Sequence, residues 1–134
     1  INPQPNSTSL AYNKKTPLLN FGDIVIIYYN NNNIEIEVAT TSREKGMQNK
    51  FIKIVKIDEL LYQRWNNIII NYFGGTLDIF LNNELIVSKI NITPILLANK
   101  IISGSKNGIH GGIKDVIFIK NTLTQSEIES IYKM

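Results

Sequence analysis

The chain contains no cysteine. Disulfide staples, thiolate metal sites and thiol nucleophiles are excluded together. Histidine occurs once, as His110, and tryptophan once, as Trp65. A serine-histidine-aspartate relay therefore has one base to draw on, and His110 lies in a glycine-rich stretch beside no plausible serine-aspartate pair. Arginine is scarce as well, with Arg43 and Arg64 the only two among 14 basic residues. Bidentate phosphate recognition falls mainly to arginine, and no basic block with interleaved aromatics occurs. The net charge of +3 and pI near 9.1 thus describe a solvated, mildly basic surface, and no nucleic-acid partner is expected. No apolar run approaches the roughly 20 residues of a membrane helix, so no membrane segment is expected in the visible chain. The chain starts at Ile1 without a basic stretch followed by an apolar one, and any targeting signal would lie upstream.

What is present in excess is isoleucine, 25 residues, and asparagine, 18. AT-rich coding sequence produces that bias, so it speaks of origin more than of chemistry. At 134 residues the chain fits one domain that buries about two-thirds of its unfolded surface. Three of the four prolines fall in residues 1–20, which read as a loop or edge segment. Phe21 to Tyr29 is a β-branched, Tyr-bearing run and reads as a strand. After the tract Asn30 to Asn33, the alternation Ile34-Glu35-Ile36-Glu37-Val38 places the apolar residues inward and both glutamates on a solvated face. Residues 39–50 read as a loop. Phe51 to Ile57 alternates again, with Phe51, Lys53, Val55 and Ile57 on one face. A short connector, 58–64, delivers Trp65, expected as a core anchor.

From Trp65 to Val87 two turns, Gly74-Gly75 and Asn82-Asn83, divide three short apolar strands into a meander, since both residue pairs accept the positive φ that tight hairpins need. Leu77, Ile79 and Leu81 share one face of the middle strand and Thr76, Asp78 and Phe80 the other. A strand is expected around Lys100 to Ser103, then a backbone-exposed loop at 104–112, and a further strand at Val116 to Ile119. The one clear helix comes last. Thr124 and Glu127 form a capping box, Leu123 and Ile128 have hydrophobic-staple spacing, and Ile128, Ile131 and Tyr132 make one apolar stripe expected to dock at the end of the sandwich.

Four blocks in order carry a family resemblance: Trp65-Asn66-Asn67-Ile68, then Gly75-Thr76-Leu77-Asp78-Ile79-Phe80-Leu81-Asn82-Asn83, then Gly112-Ile113-Lys114-Asp115-Val116-Ile117-Phe118, and Leu123 to Tyr132. The sequence resembles the concanavalin A-like lectin/glucanase superfamily in its laminin-G-like form, and most of all the laminin-G-like proteins of large DNA viruses. Asn83 departs from the family's usual glycine. The resemblance implies an all-β fold, an antiparallel β-sandwich of jelly-roll type with one short C-terminal helix. It also implies that 1–134 is a single domain lacking N-terminal strands of a larger one. A receptor-binding jelly roll of a secreted toxin shares the bias and the implied fold.

The superfamily includes glucanases, whose sandwich members set their catalytic acids in an E-x-D-x-x-E strand, with carboxyls about 5 to 5.5 Å apart in retaining enzymes. That motif is absent, and Glu35 and Glu37 share a strand face without a third acid, so no enzyme is expected. Phosphate-loop and dinucleotide spacings are absent too, because Gly108, Gly111 and Gly112 do not open a helix. Calcium is the one cofactor the resemblance leaves open; Asp23, Asp78 and Asp115 stand near strand ends or turns but form no D-x-D cluster. No metal ligands are assigned. The expectation is a non-catalytic lectin-like interaction module, structural or adhesive, binding glycan or protein through loops in a virion or extracellular setting. A glucanase-type hydrolase and the toxin module are the alternatives. The residues singled out for binding are Asn82 and Asn83 in the hairpin turn, His110 in the glycine-rich loop, and Tyr62 in the connector.

Overall fold

Wherever paired Asn or Gly interrupts an alternating apolar run, the chain reverses. Asn82 and Asn83 take φ of 49° and 70°, and Gly74 and Gly75 take 57° and 88°. Two successive positive-φ residues twist the backbone in the sense that flanking strands require. The computed structural model describes residues 1–3, 14–31, 33–40, 50–57, 62–92, 100–105 and 108–134. Its elements are β1 (Asn2–Pro3), β2 (Thr16–Phe21), β3 (Val25–Asn30), β4 (Asn33–Thr40), β5 (Lys50–Ile57), β6 (Ile68–Phe73), β7 (Thr76–Leu81), β8 (Glu84–Lys89), β9 (Ile101–Ser103), β10 (Gly111–Gly112) and α1 (Gln125–Lys133).

These strands form a five-stranded sheet in the order β5-β4-β3-β2-β9, a three-stranded sheet β6-β7-β8, and the pair β1-β10. Every pairing is antiparallel. One apolar cluster joins the two larger sheets: Ile27, Tyr29, Ile34, Ile36 and Val38 from one, Leu77, Ile79 and Leu81 from the other. The fold is an all-β antiparallel sandwich with one short C-terminal helix. Alternation explains the core, since every second residue of β4 and β7 points into it.

Several expectations are corrected. Thr16–Phe21 is a strand paired with β3 and β9, not a loop. Pro17 fits because it sits at a register shift and below the reach of β9, which covers Leu19 to Phe21, so no ladder needs its missing N–H. In β5, Ile36 pairs with Val55 but Glu37 pairs with Lys53, leaving Ile54 as an extra residue. This bulge reverses the alternation. Lys53 joins Lys56 on the outer face, Val55 and Ile57 turn inward, and Ile54 is itself buried. Ala39, Thr40 and Lys50, assigned to a loop, belong to β4 and β5; residues 41–49 lie outside the described residues, as do 58–61 of the connector. Val116 to Ile119 is not a strand: the segment is exposed and, among the described residues, has no ladder partner.

The C-terminal helix begins as its capping box dictates. Thr124 Oγ1 accepts from Glu127 N–H at 3.3 Å, and Glu127 Oε2 accepts from Thr124 N–H at 2.7 Å. Its entry is tied to β6. The Asn71 amide donates to Leu123 O at 2.9 Å and accepts from Leu123 N–H at 3.0 Å, imitating one rung of a ladder. Replacing Thr124 by Ala removes the hydroxyl's bond from Glu127 N–H and its donation to Glu127 Oε2 at 3.0 Å, and keeps the backbone bond. A loss of about 1 kcal/mol is expected, read as a lower urea midpoint at unchanged slope.

Candidate binding surface around Trp65

The WNN segment entering β6 places two polar side chains and one indole at the mouth of the three-stranded sheet. Asn66 is buried. Its Nδ2 donates to Ile1 O at 3.3 Å and Arg64 O at 3.2 Å, and its Oδ1 accepts from Asn82 Nδ2 at 3.3 Å. The Asn82 Oδ1 accepts in turn from Asn67 N–H at 2.8 Å, while Asn82 N–H donates to Asn67 O at 2.9 Å. Asn82 is therefore committed at both ends of its amide. Asn83 beside it is half-buried, and its side chain has no hydrogen-bond partner among the described residues. The Asn67 Oδ1 is likewise buried without a partner among them.

Trp65 is not the expected core anchor: it is 48% exposed. A residue distant in sequence, Gly112, lies against it instead. A Cβ on Gly112 would stand 3.0 Å from the indole Cη2, so glycine at that position lets the ring lie against the backbone. The Lys114 ammonium sits 4.7 Å from the ring centroid, a cation–π contact that adds a positive charge to the platform. Half of a large aromatic surface is left open, with a lysine over the ring.

Of the residues singled out for binding, Asn82 and Asn83 lie at this mouth. His110 is exposed and immediately precedes Gly111, which pairs with Pro3, so backbone pairing through Ile1 to Pro3 connects its strand to Asn66. Tyr62 is elsewhere. Its hydroxyl lies 3.2 Å from that of the buried Tyr29, and its ring packs on the core. Trp65, Asn66, Asn67 and Lys114 were not singled out, although all four stand within the quoted family blocks. Beside this mouth, Ile1, Leu18, Gly104, Ile109, Gly112 and Ile113 help to line an open groove of about 240 Å³.

The outer face of the five-stranded sheet carries the glutamate pair. Glu35 was expected to be solvated, yet its side chain is 4% exposed. Lys53 donates to its Oε1 at 3.0 Å, Asn30 to the same oxygen at 3.3 Å, and Lys15 stands 3.9 Å from Oε2. Lys15 also hydrogen-bonds Glu37 and lies 4.3 Å over the Tyr28 ring. Burial pushes the Glu35 carboxyl up, but hydrogen bonds from Lys53 and Asn30 and the charges of Lys53 and Lys15 bring it below its ordinary value. A general acid needs the opposite shift. Because the folded state holds this proton more weakly than the unfolded state, stability from Glu35 is fully present above the ordinary value of 4.5 and is lost as pH falls through the lower folded value. The urea midpoint of the protein is expected to fall below about pH 4.5, and Glu35→Gln to make that acid limb shallower.

Among the described residues no three His, Asp or Glu side chains gather as a metal site. Asp23 turns at φ 56° and accepts from Asn20, Asp78 accepts from Ser88, and Asp115 pairs loosely with Lys114, so the three lie on separate features. No helix of the described residues is long and apolar enough to cross a membrane. No family model and no curated protein matches the chain. Among solved structures, an S-layer domain-containing protein of Clostridium thermocellum (residues 221-444) is similar at 16% identity, covering 98% of this chain and 68% of that one, with a TM-score of 0.44. A likeness that slight lends nothing to the reading of the site.

Proposed function

We propose that the chain is a non-catalytic interaction module of the laminin-G or lectin type that binds a glycan at the Trp65 end of the sandwich. The observation that carries this reading is the half-open indole, set against Gly112 and Lys114 and leading in sequence into Asn66 and Asn67, which are tied to the Asn82 turn. Sugar rings present C–H faces that stack on aromatic surfaces and hydroxyls that bond to amides, and both groups stand here on one rim. The amide lattice of Asn66 and Asn82 holds that rim in place. The platform rests on strand ends rather than on a long loop, so little ordering is needed on binding. The family resemblance adds an extracellular or virion setting to the proposal.

A glycan array with the protein and with Trp65→Ala tests it. Binding to a restricted set of glycans that disappears in Trp65→Ala is expected. Silence of the unchanged protein across neutral, acidic and sulfated glycans, or equal binding by both proteins, would sink the proposal. Trp65→Ala is expected to change stability by no more than about 1 kcal/mol, because the side chain is half exposed and its loss leaves no enclosed cavity.

A further inference from the structure

The outer face of the five-stranded sheet brings an aromatic ring and two carboxyls to one spot. Tyr28 of β3 and Glu35 of β4 are cross-strand partners, and Glu37 stands two residues further along β4 on the same face. A cation already sits between them. The Lys15 ammonium lies 4.3 Å from the Tyr28 ring centroid, hydrogen-bonds Glu37 Oε1 and stands 3.9 Å from Glu35 Oε2. An aromatic face combined with carboxylates is the chemistry that recognises an alkylammonium group.

One wall of this box is rigid. Glu35 is 3% exposed, and its Oε1 accepts from Lys53 at 3.0 Å and from Asn30 at 3.3 Å. Its Oε2 is turned toward Lys15, is buried and, among the described residues, accepts no hydrogen bond. Lys15 therefore fills the box incompletely: its ammonium has three donors, yet it is drawn to Glu37 and stops beyond hydrogen-bond reach of Oε2. The tether accounts for this. Lys15 immediately precedes β2, so its side chain has to cross β3 to reach acids on β4. An ammonium that arrives without such a tether can approach both carboxylates. Lys15 also holds its place weakly, because its side chain is 38% exposed and ion pairs so exposed to water contribute little. Among the described residues Lys15 and Lys53 are the cations within 4.0 Å of the two glutamates, so departure of Lys15 leaves one negative charge for a ligand to balance.

We propose that Tyr28, Glu35 and Glu37 form a binding site for a primary alkylammonium group, carried by a free amine or by a lysine side chain of a partner, with Lys15 as its internal competitor. Because the site accepts a ligand only when Lys15 has left, the apparent affinity is lowered to the fraction of molecules in which it is vacant. A guanidinium is the poorer ligand, since its planar fork binds both oxygens of one carboxylate and Glu35 Oε1 is already engaged. This site lies on the opposite sheet from β6 and does not depend on the glycan reading.

Titration with n-butylammonium chloride, which reproduces the lysine head and stem, tests the site against sodium chloride at equal ionic strength. Lys15→Met vacates the box and keeps an apolar stem, and Lys15→Ala vacates it altogether; the Tyr28 ring resonances and the melting temperature are followed in both. Each variant is expected to show a saturable shift of the Tyr28 resonances with a parallel rise in melting temperature. The unchanged protein is expected to show the same shift at about fivefold higher concentration, the margin an exposed internal ion pair supplies. Lys15→Met combined with Glu37→Gln is expected to show none. Tighter binding of a lysine blocked at both backbone ends than of butylammonium assigns the site to a protein-borne lysine, and equal or weaker binding to a free amine. A response of Lys15→Met no larger than that to sodium chloride, equal midpoints for Lys15→Met and the unchanged protein, or saturation that survives Glu37→Gln would each overturn the proposal.

Discussion

Ile79→Ala is expected to lower stability by about 3 kcal/mol, the middle of the range for emptying a buried isoleucine site. Ile79 is fully buried, at the centre of the middle strand of its sheet, opposite Ile70 and Val87 and within the cluster that joins both sheets. Its methyl groups are replaced by nothing, because neighbours on two sheets cannot all relax toward one vacancy. For a domain of this size the change corresponds to a fall in melting temperature of roughly 10 °C. Leu85→Ala, on the same sheet but exposed, is expected to stay within about 0.5 kcal/mol. Equal losses at the two positions would mean that the two sheets do not share the core described above.

The second large effect is expected at Asn66. Its amide satisfies Ile1 O, Arg64 O and Asn82 Nδ2 at once, inside a site with almost no access to water. Asn66→Ala leaves those groups without this partner, and a buried polar group left so costs about 1 to 3 kcal/mol. A total loss of about 2 to 3 kcal/mol is expected, since Ile1 O keeps its bond from the Asn66 N–H. The substitution should also loosen the seating of Trp65 and shift its emission to longer wavelength. Unchanged emission together with unchanged melting temperature would show that the amide lattice does not hold the rim.

Much of the fold was legible because its signals are local. Asn82-Asn83 and Gly74-Gly75 announce tight turns by their tolerance of positive φ, and the alternation through Leu77, Ile79 and Leu81 assigns the buried face without knowledge of the partner sheet. The Thr124-Glu127 capping box is local too. The misread features are those decided by distant chain. Pro17 argued against a strand until β9 was seen to stop short of it. The bulge at Ile54 follows from how β5 must meet β4, and no residue within Phe51 to Ile57 signals it. Glu35 looked solvated because sequence alternation shows which face a residue takes, not that Lys15 and Lys53 fold over it. Val116 to Ile119 has strand character but no neighbour to pair with among the described residues, and propensity alone cannot supply one.

The candidate site was legible in part for the same reason. Asn82 and Asn83 could be named as a turn, but the commitment of Asn82 to Asn66 and Asn67 depends on pairing across the sheet mouth. Trp65 was expected in the core because it stands just ahead of an apolar strand; its actual position depends on Gly112, a residue whose importance lies in the side chain it lacks.

Trp65 is the chain's single tryptophan, so its fluorescence reports on one place. Titrating the protein with a glycan selected on the array, while following that emission, tests the central claim most directly. The account predicts a saturable change in intensity or wavelength whose midpoint equals that of binding measured by calorimetry. Calorimetric binding with Trp65 emission unchanged throughout would contradict it, because the glycan would then be held away from the indole.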